Sequence, residues 1–161
     1  MKFLLIILIF MCKLFSYDID EILIIDAKLF PKIVMLNQNI KKENLKIGIL
    51  TDKKNEENAK KLKKYLGFNG YRSYILKDDY FFDNYDAYIV ITERFSMSVI
   101  KKIAKNKKLI FGAFPESIKF TMISIYVGTK IKPILNLSFI RKSRIKINPI
   151  LIKVSKIYES E

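Results

Sequence analysis

The sequence predicts an α/β protein: a mostly parallel central sheet flanked by helices on both faces, a Rossmann-like three-layer arrangement, with a C-terminal antiparallel hairpin and a terminal helix. Three observations carry this. Between Lys46 and Gly112, short apolar runs alternate with amphipathic stretches, the order that favours parallel strands joined by right-handed crossovers. From Met122 the pattern changes to strict alternation, with Ile123, Ile125 and Val127 on one side and Ser124 and Tyr126 on the other. Near the end, Asn148-Pro149 starts a last helix, with a side-chain acceptor at the N-cap and proline at the first turn.

Taken in order, Met1 to Tyr17 opens with Lys2 and an apolar run from Phe3 to Cys12. Ten apolar residues are too few to span a bilayer but suit the core of a secretory signal. The expectation is a signal peptide over residues 1–16, cut between Ser16 and Tyr17, with a single α/β domain over residues 17–161. An uncleaved anchor is the rival reading of the same run. Met11, at the position before Cys12, is too large for a lipoprotein signal.

Asp18 to Leu36 reads as one helix capped by Asp18 or Asp20, with Ile19, Leu23, Ala27 and Phe30 along one side and a kink or break expected at Pro31. Lys46–Thr51 is a strand. Asn55 starts a helix whose inner face is Ala59, Leu62 and Leu66, and Gly67 is placed where a terminating glycine belongs. Asn69-Gly70 is a turn into a strand from Tyr71 to Leu76. Residues 78–86 mix four aromatics with four aspartates. They read either as a loop whose rings fold onto the core or as an exposed aromatic anchor for a partner. The aspartates lack the spacing of a calcium loop.

Ala87–Thr92 is a central strand, and Ser96 caps a helix with Val99, Ile100 and Ile103 inside. Lys108–Gly112 is a further strand, and Phe114 to Ser117 opens a connector. Gly128-Thr129-Lys130 is a hairpin turn, for which glycine supplies positive φ. Pro133, with no N–H to give, places the second hairpin strand at a sheet edge. Asn136-Leu137-Ser138 can then cap a short helix carrying Phe139, Ile140 and the basic cluster Arg141, Lys142 and Arg144. Ile150, Leu151, Val154, Ile157 and Tyr158 form the apolar stripe of the terminal helix.

This C-terminal order of strand, tight turn, strand, asparagine, basic short helix, Arg144-Ile145-Lys146-Ile147-Asn148 and final helix resembles the YfiR-like family, small periplasmic regulators of inner-membrane signalling enzymes. The resemblance extends back to about Lys46. Phe120-Thr121 stands where that family has a glycine pair, and the disulfides common in it are absent. What the resemblance implies is a non-enzymatic protein in the periplasm that binds the periplasmic domain of an inner-membrane diguanylate cyclase or sensor kinase.

Composition narrows the chemistry. The chain lacks histidine, and its one cysteine lies in the leader, so a histidine base, a catalytic thiol and a zinc–cysteine cluster are excluded from the predicted domain. No GxGxxG or GxxxxGK[ST] motif is present among five glycines, and no cofactor is expected. The expected sheet order resembles that of a response-regulator receiver or flavodoxin, with Asp52 after its first strand as an acidic-pocket residue would be. Thr92-Glu93 replaces the aspartate that would accept a phosphoryl group, and Asp52 reads as a capping or loop residue. Asp78-Asp79 could serve acid–base work, but nothing in the sequence places them in a cleft. No enzymatic activity is therefore expected.

The net charge of +14 invites a nucleic-acid reading, but lysines are spread along the chain without a recognition module, so specific nucleic-acid binding is not expected. The expected partner surface is Tyr80, Phe81, Phe82 and Tyr85 together with the edge at Pro133. The alternative function is a small-ligand domain using Thr51, Asp52, Thr92, Glu93 and Arg94 at the carboxyl ends of the strands. A homodimer and a weak contact with an anionic surface complete the partner readings.

Overall fold

The computed structural model describes residues 18–77, 84–92 and 96–159; the predicted signal peptide with its Ser16–Tyr17 cut, the rings of Tyr80, Phe81 and Phe82, and Glu93 and Arg94 lie outside these. The fold is α/β. Seven strands form one sheet in the order β2-β1-β3-β4-β5-β6-β7. They are β1 (Lys46–Thr51), β2 (Arg72–Lys77), β3 (Ala87–Ile91), β4 (Leu109–Gly112), β5 (Ile123–Val127), β6 (Ile131–Asn136) and β7 (Lys156–Tyr158). All neighbouring pairs are parallel except β5 with β6.

β1, β3 and β4 are apolar at nearly every position because both of their faces are covered. On one face, α1 (Ile19–Gln38) runs unbroken through Pro31 and stacks Phe30 on Phe111 of β4, ring centroids 4.4 Å apart. α2 (Glu56–Phe68) packs beside it through Ala59, Leu62 and Leu66, and Lys61 pairs with Asp20 of α1 at 2.8 Å. The β1-to-β2 and β3-to-β4 steps run in opposite directions across the sheet. Right-handed crossovers therefore put α3 (Met97–Lys105) on the opposite face from α2. A 3-10 helix, Pro115–Lys119, shares that face. Gly112 permits its approach, since a Cβ there would lie 2.4 Å from the Cβ of Ser117. Two short helices follow β6, α4 (Leu137–Lys142) and α5 (Pro149–Val154), the second leading into β7, and among the described residues no helix is long and apolar enough to cross a membrane.

Several local expectations are corrected. Gly67 lies inside α2, and the left-handed residue that ends this helix is Gly70, at φ 75°. Gly128 does not have positive φ; glycine is needed there because the Tyr126 ring folds over the turn, within 2.6 Å of where a Cβ would stand. Ser96 occupies the N-cap of α3, but its hydroxyl bonds Ser98 Oγ at 2.6 Å and caps no backbone N–H.

Pro133 does not mark an edge strand, because β7 lies beyond β6. Asn136 N donates to Met122 O, so by alternation the amides of Pro133 and Leu135 face away from β5. β7 pairs with Ile134 to Asn136 only, which leaves the outer side of Ile131 to Pro133 unpaired among the described strands. The terminal helix is correspondingly shorter than its apolar stripe. A six-residue helix is marginal by itself, whereas the outward groups of β6 gain ladder bonds from residues 156–158. Ser155 closes α5 by donating its hydroxyl to Leu151 O at 2.6 Å.

Candidate functional site

Three places bring polar or aromatic groups together. At the carboxyl ends of β1 and β3, the Asp52 carboxylate accepts from the Thr92 hydroxyl, from Asn55 N at 2.8 Å and from Asn55 Nδ2 at 3.0 Å. Thr51 Oγ1 donates to Ile91 O at 3.4 Å beside it. Burial pushes the Asp52 carboxyl upward, but the Thr92 and Asn55 hydrogen bonds, helped by Lys54, outweigh it and hold the pKa below the ordinary aspartate value. The group is thus an ionised acceptor that pins the turn into α2, in accord with its reading as a loop residue. Among the described residues no cluster of acidic, histidine or cysteine side chains could hold a metal ion.

The second place is aromatic. Tyr85 is half-buried, its ring 5.5 Å from Tyr74 at the β2 edge and 5.8 Å, edge-on, from Tyr88 in the core. Burial, with a smaller effect of the Tyr74 hydroxyl, raises its phenol pKa. Pro133 is also half-buried, at the far side of the sheet and five strands from β2. The two described members of the expected partner surface therefore do not adjoin. Near Pro133, Ile131 is 47% exposed on the sheet face that α1 covers further in. α5 lies on the same face, tied to the end of α1 by Asn37, which donates to Lys146 O at 3.0 Å and accepts from Asn148 N at 2.8 Å. Its Ile150 and Val154 are 59% and 52% exposed. By alternation Lys132 and Lys156 point to the opposite face of the sheet, where Lys156 reaches over the Tyr126 ring at 4.5 Å.

The third place was not anticipated as a site. A groove of about 770 Å³ opens on the α3 face, where the segments entering β4 and β5 meet the segment leaving β6, at the amino ends of the parallel strands. Asn136 holds its walls together: its Nδ2 donates to Ile118 O at 2.9 Å and its Oδ1 accepts from Phe139 N at 3.0 Å, joining β6, the 3-10 helix and α4. Phe120, Phe139 and Met97 supply apolar lining, and Lys101, Lys105, Lys107, Lys119, Lys142 and Arg144 supply cations. Six of the thirteen lining residues are thus basic and none is acidic, against 30 basic residues in the 161 of the chain, so general basicity does not account for the concentration. The ion pairs described, Lys60 with Glu56 and Glu57 and Lys61 with Asp20, lie elsewhere.

Backbone conformation singles out two of these cations. Among the described residues, the non-glycine positions with left-handed φ are Asn39, Lys107 and Arg144, at 53°, 57° and 55°. Lys107 follows the C-cap of α3, with Lys107 N bonded to Ala104 O and Lys108 N to Ile103 O, the Schellman arrangement. Arg144 follows α4 with its N–H on Arg141 O. A left-handed lysine or arginine costs roughly 1 kcal/mol relative to glycine. α2 ends in the same motif with Gly70, and α1 leaves through Asn39, the residue types that tolerate this conformation. Sequence reasoning noticed the Arg141–Arg144 cluster but had no signal that Lys101 to Lys107 faces it across the fold.

No family profile matches this sequence, and no curated protein does. Among solved structures, the chain is similar to an ABC domain in complex with L-Trp from Streptococcus pneumonia, with a TM-score of 0.53 and 12% identity over 79% of this chain and 61% of that one. It is also similar to a conserved domain protein from Vibrio cholerae, with a TM-score of 0.56 and 9% identity over 83% of this chain and 60% of that one. The chain spans about three-fifths of the length of each. At such identities the likeness establishes the α/β fold and nothing finer.

Proposed function

We propose that this chain is a non-enzymatic regulatory binding domain that acts in the periplasm on the periplasmic domain of an inner-membrane signalling protein, of the diguanylate cyclase or sensor kinase kind. The observation that supports it most directly is the apolar strip of Ile131, Ile150 and Val154 beside the unpaired outer side of β6 at Ile131 to Pro133. Unpaired strand groups accept an extended segment by strand addition, and flanking apolar side chains give such a segment its anchors. The excess of 30 basic over 16 acidic residues favours an acidic segment and disfavours a second copy of this basic chain. Regulation follows without catalysis: a domain that binds one conformation of the partner more tightly shifts its population by that difference in affinity.

The C-terminal order that resembles the YfiR-like family supports the same reading. The test is crosslinking capture from native membranes with wild-type chain and with Ile131→Lys. Recovery of one inner-membrane signalling protein by the wild type, lost at least tenfold in the variant with an unchanged circular dichroism spectrum, is the expected result. Equal recovery by both removes the strip from the interface, and recovery only of salt-released acidic proteins overturns the reading.

A second reading, a small-ligand domain, is favoured by the Asp52, Thr92 and Asn55 cluster at the strand ends, where open α/β sheets ordinarily bind ligands. The L-Trp carried by the similar ABC domain belongs to the same reading. A rise in melting temperature with L-Trp or another amino acid, abolished by Asp52→Ala, would favour it.

A further inference from the structure

We propose that the groove between α3 and α4 is a binding site for a phosphate monoester with an aromatic or apolar body, whether a free organic phosphate or the headgroup of an anionic lipid. The site is independent of the strand-addition surface and lies at the opposite end of the sheet from the Asp52 cluster.

Two unrelated observations converge on it. The first is composition: Lys101, Lys105, Lys107, Lys119, Lys142 and Arg144 line one concavity with no carboxylate among them, and a doubly charged anion there relieves a mutual repulsion that nothing in the lining offsets. The second is conformational. Lys107 and Arg144 hold left-handed positions that glycine fills at the end of α2, so both helices end in cations at a conformational cost. Favourable interaction with the helix dipole does not explain this, because Lys102, Lys105, Arg141 and Lys142 already supply basic residues to the last turns. The left-handed step is what turns each chain out of its helix at the groove, where both side chains join the lining. Arginine donates two parallel hydrogen bonds to phosphate oxygens, and the lysines add point charges. Phe120 and Phe139 give the organic part of the ligand a ring to pack on, and Ser138 offers a hydroxyl.

The experiment titrates the full-length chain calorimetrically with phenyl phosphate and with inorganic phosphate, and measures co-sedimentation with vesicles containing phosphatidic acid, a lipid whose headgroup is a phosphate monoester. The variants are Lys107→Gly, Arg144→Gly and, as a charge-matched control on α2, Lys63→Gln. Phenyl phosphate should bind about fivefold more tightly than inorganic phosphate, reflecting the aromatic contact. Each glycine variant should weaken it about tenfold while melting at the same or a higher temperature than wild type, because the left-handed strain is relieved. Lys63→Gln should change binding less than twofold. Vesicle binding lost in the glycine variants and kept in the control, without affinity for phenyl phosphate, would assign the phosphate to a lipid headgroup. Equal weakening by the control would reduce the effect to net charge and overturn the site. So would the absence of binding to all three probes, or a fall in melting temperature in both glycine variants.

Discussion

A carboxyl group buried without a partner titrates against the fold, and Asp26 is such a group. It is 0% exposed on the inner side of α1 beside Leu23, Ala27 and Phe30, and neither of its oxygens has a hydrogen-bond partner among the described residues. Burial alone holds its pKa well above the ordinary 3.8. A raised folded pKa contributes stability that is fully present below the unfolded pKa and is lost as pH rises through the folded one. Asp52 has the opposite sign: its lowered pKa contributes stability present above the unfolded value and lost as pH falls through the folded value. Between about pH 4 and 7 the Asp26 effect therefore dominates this pair. Asp26→Asn should flatten the fall in melting temperature over that range, and Asp26→Leu should stabilise the protein at pH 7 by about 1–3 kcal/mol. An unchanged slope in Asp26→Asn would mean that the carboxyl finds a donor in solution. The helical stripe through Leu23, Ala27 and Phe30 was legible in the sequence and encloses position 26, but a pattern of types does not say whether an aspartate at its border turns in or out. Ile19, read as part of the same stripe, is in fact 45% exposed. Nor did spacing reveal the left-handed Lys107 and Arg144, since the usual marker of that conformation is glycine.

At the scale of elements, Asn136 and Gly112 hold the α3 face together. Asn136 is buried, caps α4 and satisfies the Ile118 carbonyl. Asn136→Ala removes the cap and strands two backbone groups, and should cost about 2–3 kcal/mol of unfolding free energy in a urea titration. Gly112→Ala forces the 3-10 helix away from β4 and should cost about 1–3 kcal/mol. Neutral behaviour in both would show that the 3-10 helix is not anchored as described. The capping role of Asn136 was readable, because an asparagine directly before a short amphipathic run has few other uses. So were both hairpin strands, whose alternation has a period long enough to recognise. β7 was not readable: three residues carry no period, and Ile157 and Tyr158 fit equally well as a continuation of the helical stripe. What decides between these is a non-local quantity, the outward-facing backbone of Ile134 to Asn136, which gains bonds only if the chain leaves α5 after Val154.

For the whole molecule, the excess of 30 basic over 16 acidic residues makes self-repulsion a term in stability, and topology decides where it is largest. The cations of the groove come from three separate stretches, residues 101–107, 119 and 142–144, which are distant in sequence and meet because β4, β5 and β6 are adjacent in the sheet. Net charge was therefore legible from composition, while its concentration at one end of the fold was not. Elsewhere the lysines are dispersed, and those of α2 are partly compensated, as Lys60 is by Glu56 and Glu57. If repulsion is densest in the groove, reversing a charge there relieves more of it than reversing one outside. Lys142→Glu should raise the melting temperature at low ionic strength by more than Lys63→Glu, although both change net charge equally. Raising salt to about 0.5 M shortens the screening length to roughly 4 Å, so it should raise the wild-type melting temperature and erase the difference between the variants. Equal gains at low salt would mean that the groove lysines spread into water far enough to escape one another. Such dispersed cations could not present a concentrated field to a phosphate, so this thermal comparison bears on the proposed site without using any ligand.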